Sequence, residues 1–140
     1  KELSAYIDKA IVTHPAMKPA SVSLEDYKKG IIQVASDPWY QAVLEINPET
    51  YLKKVDCPVL AINGTLDMQV LATSNLEAIN AAVRSGGNSE ITIQEFEGLN
   101  HLFQTAITGA PQEYTTIEET FSPAALNAIS DWLTSLYTED

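Results

Sequence analysis

Cysteine is nearly absent from this chain of 140 residues, where Cys57 is the only one. A single thiol cannot form an intrachain disulfide or a thiolate metal cluster. One cysteine also leaves the redox compartment, and with it the localisation, undetermined. Because Cys57 precedes Pro58 at the start of an apolar run, we expect it to be a small buried residue.

Positive charge is scarce as well. Eight Lys and Arg residues stand against 19 Asp and Glu, the net charge is −11, and no Lys or Arg follows Arg84. Nucleic acids and anionic membranes bind proteins through Lys and Arg, so we expect neither as a partner. Long apolar runs are also missing, since no segment approaches the roughly 20 residues of a membrane-spanning helix.

The start of the chain has no signal-peptide pattern, because no basic stretch precedes an apolar one. It has no initiating Met, and Leu3, Tyr6, Ile7 and Ile11 already share one helical face. We therefore expect the natural N-terminus, and any targeting signal, to lie upstream of residue 1.

The first third of the chain has the apolar spacing of short helices. Ser23 is the expected N-cap of the second of them. Trp39, Tyr40 and Trp132 recur at helical spacing, which favours core positions. The predicted helices span residues 3–12 and 24–35, and two shorter ones open with a capping residue followed by proline, at Asp37-Pro38 and Asn47-Pro48.

After residue 57 the pattern changes to alternating strand and helix. Residues 58–64 form an apolar run ended by glycine, which is typical of a parallel strand buried on both faces. A helix at 72–84 and a strand at 91–96 follow, and a crossover of this length makes the two strands parallel neighbours. Ser122-Pro123 begins a last helix, whose expected inner face is Leu126, Ile129, Leu133 and Leu136. The fold class is therefore α/β, and because two strands make a very small sheet, we expect further strands upstream.

Two polar loops follow these strands. Asp67 lies in the loop after the first strand, and His101 lies in the loop after the second. Parallel strands end at the same edge of a sheet, where functional groups of α/β proteins gather. We therefore expect Asp67 and His101 to lie side by side and to share a hydrogen bond that orients the imidazole.

These residues carry a resemblance to the α/β-hydrolases. The segment from Pro58 to Asp67, Pro-Val-Leu-Ala-Ile-Asn-Gly-Thr-Leu-Asp, is similar to their last-but-one strand and acid loop. Gly98-Leu-Asn-His101 resembles their histidine loop, and the order Asp before His matches the family. The stretch from Gln104 through Gly109 to Glu113-Tyr114 resembles the bacterial carboxylesterase-like members.

The resemblance implies the C-terminal part of a serine hydrolase that cleaves carboxylic esters of modest size, without a cofactor. Residues 1–36 would be the remnant of a helical cap, and residues 37–140 would be the C-terminal part of the core. In the catalytic triad His101 would be the general base and Asp67 would orient it. The expected partner of the intact protein is a small-molecule ester.

The sequence departs from the family in lacking the nucleophile motif G-x-S-x-G. Gly87-Asn88-Ser89-Glu90 matches the first four positions of this motif, but Ile91 stands where the second glycine is required. Ser74 lies inside a predicted helix. The segment for the oxyanion hole is missing too, so we expect residues 1–140 alone to hydrolyse nothing. The alternatives are a relative with a Cys or Asp nucleophile and a non-catalytic module that serves in binding or assembly.

Three further expectations concern sites outside the two loops. His14 and His101 share no metal-ligand spacing with the carboxylates, so we expect no metal site. Glu118-Glu119 is interpreted as a solvated face. The strand at 59–63 would expose an edge on which the chain can associate with itself.

Overall fold

A computed structural model describes residues 2–13 and 18–138, apart from the side chains of Glu2 and Leu3. The expectations for the Leu3 side chain and for His14 lie outside the described residues. The chain divides into two compact units, Lys1–Asn47 and Pro48–Asp140. The assignment of residues 1–36 to a cap and of 37–140 to a hydrolase core stays a prediction.

The first unit contains helices α1 (Glu2–Thr13), α2 (Leu24–Ala35) and α3 (Pro38–Glu45). The predicted caps at Ser23 and Asp37 are confirmed. The Ser23 hydroxyl accepts a hydrogen bond from the amide of Asp26, and the Asp37 carboxylate accepts from the amides of Trp39 and Tyr40. These side chains satisfy amides that the first turn of a helix otherwise leaves without partners.

An apolar groove runs along α2 and α3 within this unit. Trp39, which the spacing favoured as a core residue, is 72% exposed, so that prediction is wrong. Three short helices enclose too little volume to bury every apolar side chain that they carry. The groove is lined mainly by Val22, Tyr27, Ile31, Val34, Tyr40 and Leu44.

The second unit has the predicted alternation of helix and strand. Its strands pair in parallel, from Val59 opposite Ile91 to Gly64 opposite Phe96. The described residues of the whole chain therefore form a mixed α/β structure with six α-helices and one open two-stranded sheet. The elements of this unit are α4 (Pro48–Leu52), β1 (Val59–Gly64), α5 (Ala72–Ser85), β2 (Ile91–Phe96), a 3₁₀ turn (Pro111–Glu113) and α6 (Pro123–Ser135).

The core of this unit lies between the sheet and its helices. Leu76 and Val83 of α5 are buried, and α5 contacts both strands. Ala125 of α6 packs with Phe96 and Leu99 in a second cluster. Strand β1 is only half-buried at Val59, Leu60 and Ile62, so it is not buried on both faces as expected. The reason is that β2 is its only strand neighbour among the described residues.

The face of α6 that packs inward also differs from the prediction. Ala125 is fully buried, whereas Leu126, Leu133 and Leu136 are 51%, 46% and 41% exposed. The small side chains of Ala125 and Ala128 let the helix approach Phe96 closely, and this turns the larger leucines outward. The predicted inner face is therefore wrong for the three leucines, whereas Ile129, its fourth member, is half-buried.

Cys57 is exposed, which contradicts its expected burial. It lies before the first residue of β1, outside the packed part of the sheet. No helix among the described residues is long and apolar enough to cross a membrane.

Candidate functional site

Two loops meet where β1 and β2 end. The acid loop (residues 65–71) follows β1, and the histidine loop (residues 97–104) follows β2. The amides of Thr65 and Leu66 donate to the carbonyls of Phe96 and Leu99 at 2.9 and 3.0 Å. In return the amide of Gly98 donates to the Thr65 hydroxyl at 2.8 Å. These bonds extend the strand pairing beyond the sheet and hold the loops in one relative position.

Glycine permits this close contact at two places. A Cβ on Gly64 would collide with the carbonyl of Leu99 in the histidine loop. A Cβ on Gly109 would likewise collide with the carbonyl of Leu66 in the acid loop, and Gly109 also has a positive φ of 75°. Only glycine lets the backbones approach so closely in these conformations.

The structure brings Asp67 and His101 together. His101 Nδ1 lies 2.9 Å from Asp67 Oδ2. The Asp67 side chain is 5% exposed, whereas that of His101 is 37% exposed. An ionised carboxylate only accepts hydrogen bonds, so Nδ1 carries the proton and the neutral ring keeps a lone pair on Nε2. Within the described part of the chain no residue hydrogen-bonds Nε2, which leaves it able to accept a proton.

The Asp67 carboxylate accepts four hydrogen bonds. Oδ1 accepts from the amides of Gln69 and Val70 at 2.8 and 2.9 Å. Oδ2 accepts from His101 and, at 3.3 Å, from the side-chain amide of Asn63. Burial by itself raises the pKa of Asp67, but the bonds from His101, Val70 and Gln69 outweigh it and hold that pKa below its ordinary value. Asp67 is therefore an anion at neutral pH.

Asn100 shapes the loop that presents His101. Its side chain is fully buried, its Oδ1 accepts from the amides of Leu102 and Gln104, and its Nδ2 donates to Gln104 Oε1. Phe103 takes a left-handed φ of 57°. Gly98 also has a positive φ, of 74°, so the loop that presents His101 turns sharply on both sides of the ring.

A third segment, residues 105–119, packs beside the two loops. The Glu113 carboxylate accepts from the amides of residues 107–109 and from the Thr108 hydroxyl. The bond from Thr108 is the largest of the effects that lower the pKa of Glu113. Glu118 and Glu119 were both expected to be solvated. Glu118 is exposed, whereas Glu119 is half-buried and accepts a hydrogen bond from the amide of Thr105. Tyr114 accepts from the Gln69 side chain at 2.9 Å.

Sequence reasoning missed Asn63, Glu113 and Glu119, because their partners lie in loops whose paths no local pattern predicts. A polar Asn63 inside an otherwise apolar strand was the one signal available. Because a buried polar side chain needs hydrogen-bond partners, an asparagine in such a strand indicates a position with specific contacts.

No hydroxyl or thiol of the described residues forms a hydrogen bond with the His101 ring, whose partner is Asp67. The Ser74 hydroxyl bonds to the Leu71 carbonyl within α5. Ser89 and Cys57 precede the strands, at the edge opposite the two loops. In the same described part of the chain, no group of three His, Cys, Asp or Glu side chains is arranged to hold a metal ion.

Comparison of the chain with protein-family models, with curated proteins and with solved structures finds no match. The resemblance to the α/β-hydrolases therefore stays a prediction from the sequence.

Charge is distributed unevenly over the unit of residues 48–140. Its three Lys and Arg residues are Lys53, Lys54 and Arg84. The two lysines precede β1, Arg84 lies in the last turn of α5, and Gly86 meets the carbonyl of Lys53. All three therefore lie at the amino edge of the sheet. The edge with the two loops carries Asp67, Glu97 and Glu113 and no Lys or Arg of this unit, whereas at the amino edge Glu49, Asp56 and Glu90 accompany the three cations.

Proposed function

We propose that this chain is the C-terminal part of a serine hydrolase that cleaves carboxylic esters, to which it supplies Asp67 and His101. The single observation that supports this is the 2.9 Å hydrogen bond between Asp67 Oδ2 and His101 Nδ1. The bond connects a buried anion to a half-exposed imidazole whose Nε2 is open. That combination is what a general base requires.

In the proposed reaction a serine from a part of the protein outside residues 1–140 attacks the ester carbonyl. His101 Nε2 takes the hydroxyl proton and then gives it to the leaving alcohol, so that an acyl-enzyme and a free alcohol result. Water, deprotonated by His101, then releases the carboxylic acid and restores the serine. Asp67 stays ionised throughout and stabilises the imidazolium. No cofactor takes part.

The charge at this edge favours neutral esters of modest size as substrates. An acyl group with its own carboxylate would approach Asp67, Glu97 and Glu113 without a Lys or Arg at this edge of the unit to compensate it. Repulsion between like charges raises the free energy of binding, most strongly at low ionic strength.

The test is His101→Ala in the protein extended upstream, assayed with 4-nitrophenyl butyrate. We expect kcat to fall by at least the roughly 10²- to 10⁴-fold that a positioned base contributes. His14→Ala is the control, since the same exchange at the other histidine should leave the rate unchanged. Near-normal turnover of His101→Ala would rule out the proposed role.

A second candidate is a non-catalytic module of hydrolase-like form that serves in binding or assembly. The absence of G-x-S-x-G from residues 1–140 favours it. Labelling with a fluorophosphonate separates the two candidates. Labelling of an upstream serine in the extended protein, with residues 1–140 alone unlabelled and inactive, supports the hydrolase. Acylation of residues 1–140 by themselves would contradict the division of the site that we propose. A Cys or Asp nucleophile would leave the extended protein active on esters but unlabelled.

We also propose that residues 1–140 associate with themselves through the open edge of β1. Val59 and Thr65 direct their amides toward β2, where they donate to the carbonyls of Glu90 and Phe96. Backbone groups alternate along a strand, so Leu60 and Ile62 direct theirs to the open edge. Such an edge is a template for another strand.

A further inference from the structure

Asn63 occupies a strand position at which the neighbouring sequence is apolar. It shares a face of β1 with Ala61, and the two residues are 9% and 7% exposed. An aliphatic side chain would be expected there, because burial of an amide is favourable only if its polar atoms are satisfied. The presence of Asn at this position therefore calls for a specific partner.

The Asn63 amide meets three acceptors around the acid loop. Its Nδ2 lies 3.3 Å from Asp67 Oδ2, 3.2 Å from the carbonyl of Val70 and 3.4 Å from that of Gly64. Asp67 Oδ2 is also the oxygen that faces His101. The amide of Val70 in turn donates to Asp67 Oδ1. Asn63 thus contacts Asp67 Oδ2 directly, and it also contacts Val70, whose amide holds Oδ1.

We propose that Asn63 is a positioning residue, which fixes the rotation of the Asp67 carboxylate so that Oδ2 points at His101 Nδ1. Without this donor, the amides of Gln69 and Val70 hold Oδ1 alone and Oδ2 can turn away from the ring. The inference rests on the proposed function only for its consequence in catalysis. The positioning itself is a property of residues 1–140.

The test compares Asn63→Leu with Asn88→Leu. Asn88 is a matched control, because its Nδ2 also donates to two backbone carbonyls, those of Val55 and Cys57, and it lies at the opposite edge of the sheet. Both variants lose an amide of the same size, but Asn88 is less buried and its Oδ1 also accepts from the Glu90 amide, so the comparison is made on His101 and not on stability. Only the variant at Asn63 is expected to change the state of His101.

The readout is the tautomer of His101, measured by ¹⁵N NMR of its ring at a pH where the ring is neutral. We expect the Nδ1–H form to predominate in the wild type and in Asn88→Leu, and to give way to a mixture of both tautomers in Asn63→Leu. Asn63→Ser provides a second variant that leaves room for water, so that a result is obtained even if the leucine prevents folding. A wild-type tautomer in every folded Asn63 variant would overturn the proposal.

The consequence for catalysis is measured separately, in the protein extended upstream. There we expect Asn63→Ser to lower kcat by up to about 100-fold, the effect of a misplaced catalytic group, with KM unchanged. If the extended protein has no esterase activity but the tautomer shifts, the proposed function fails and the positioning role stands. If His101→Ala abolishes activity but the Asn63 variants keep the wild-type tautomer, the proposed function stands and the positioning role fails.

Discussion

Asp67 is kept ionised by the hydrogen bonds of three donors although it is buried. Desolvation alone favours the protonated acid, and the hydrogen bonds of His101, Val70 and Gln69 reverse this preference. A carboxylate whose pKa is lower in the folded than in the unfolded chain stabilises the fold above the unfolded pKa. That contribution is lost as the pH falls through the folded value. The residue therefore links the site to the acid stability of its unit.

We expect Asp67→Asn to lower the free energy of unfolding by about 1–3 kcal/mol at pH 6, because the variant loses the charge-assisted hydrogen bonds of the ionised carboxylate. As the pH falls below the ordinary pKa of 3.8 toward the lower pKa of the folded state, the wild type progressively loses this advantage, so the two proteins should converge. Urea unfolding at pH 6 and pH 3 measures both differences. A gap between the variants that stays constant with pH would show that Asp67 does not carry this linkage.

At the scale of elements, the acid loop and the histidine loop behave as one piece. Their backbone bonds continue the ladder of β1 and β2, and Gly64 provides the space in which Leu99 approaches. The third segment joins them at Gly109, against the carbonyl of Leu66. The distance between Asp67 and His101 is therefore set by the packing of three backbones.

We predict that Gly64→Ala separates the two loops and costs about 1–3 kcal/mol, the usual range for an added group in a filled site. Gly30→Ala is the control: Gly30 lies within α2 with no atom near its Cβ position, so alanine should stabilise its unit by about 0.5–1 kcal/mol. Thermal unfolding gives the sign of each change. If the two variants shifted stability alike, the close contact at Gly64 would not be decisive.

At the scale of the molecule, the second unit presents two contrasting edges. The amino edge holds Lys53, Lys54 and Arg84, and the carboxyl edge holds the candidate site among carboxylates. Strand β1 adds an unpaired side with the backbone groups of Leu60 and Ile62. A half-buried apolar strand with such an edge has the features that promote association between copies.

We predict that residues 1–140 form a two-fold dimer through this edge. Leu60→Pro should shift the protein toward monomer, because proline removes an amide that points away from β2 and leaves the ladder intact. Ile93→Pro makes the matching change on the outer side of β2 and should leave the dimer in place. Analytical ultracentrifugation over a range of concentrations measures both. A wild type that is monomeric at high concentration contradicts the prediction.

How much could be predicted from the sequence differs between local and distant features. Ser23, Asp37 and Ser122 begin helices as expected, since caps act on amides two or three residues away. The parallel pairing of the strands also follows from the sequence, because the helix between them constrains the connection. The meeting of Asp67 and His101 at one edge of the sheet is a consequence of that pairing.

Burial and the finer contacts of the site were decided by the tertiary structure. Cys57, Trp39 and Leu126 are apolar yet exposed, because burial depends on which surfaces pack against a residue and not on its own hydrophobicity. The roles of Asn63 and Glu113 likewise exist only once loops distant in sequence are brought together. The positions of the helices and strands, and of Asp67 and His101 in the loops that follow the strands, could be read from the sequence, because capping hydrogen bonds and side-chain periodicity act over a few residues. Which faces are covered and which atoms meet depended on packing over the whole chain.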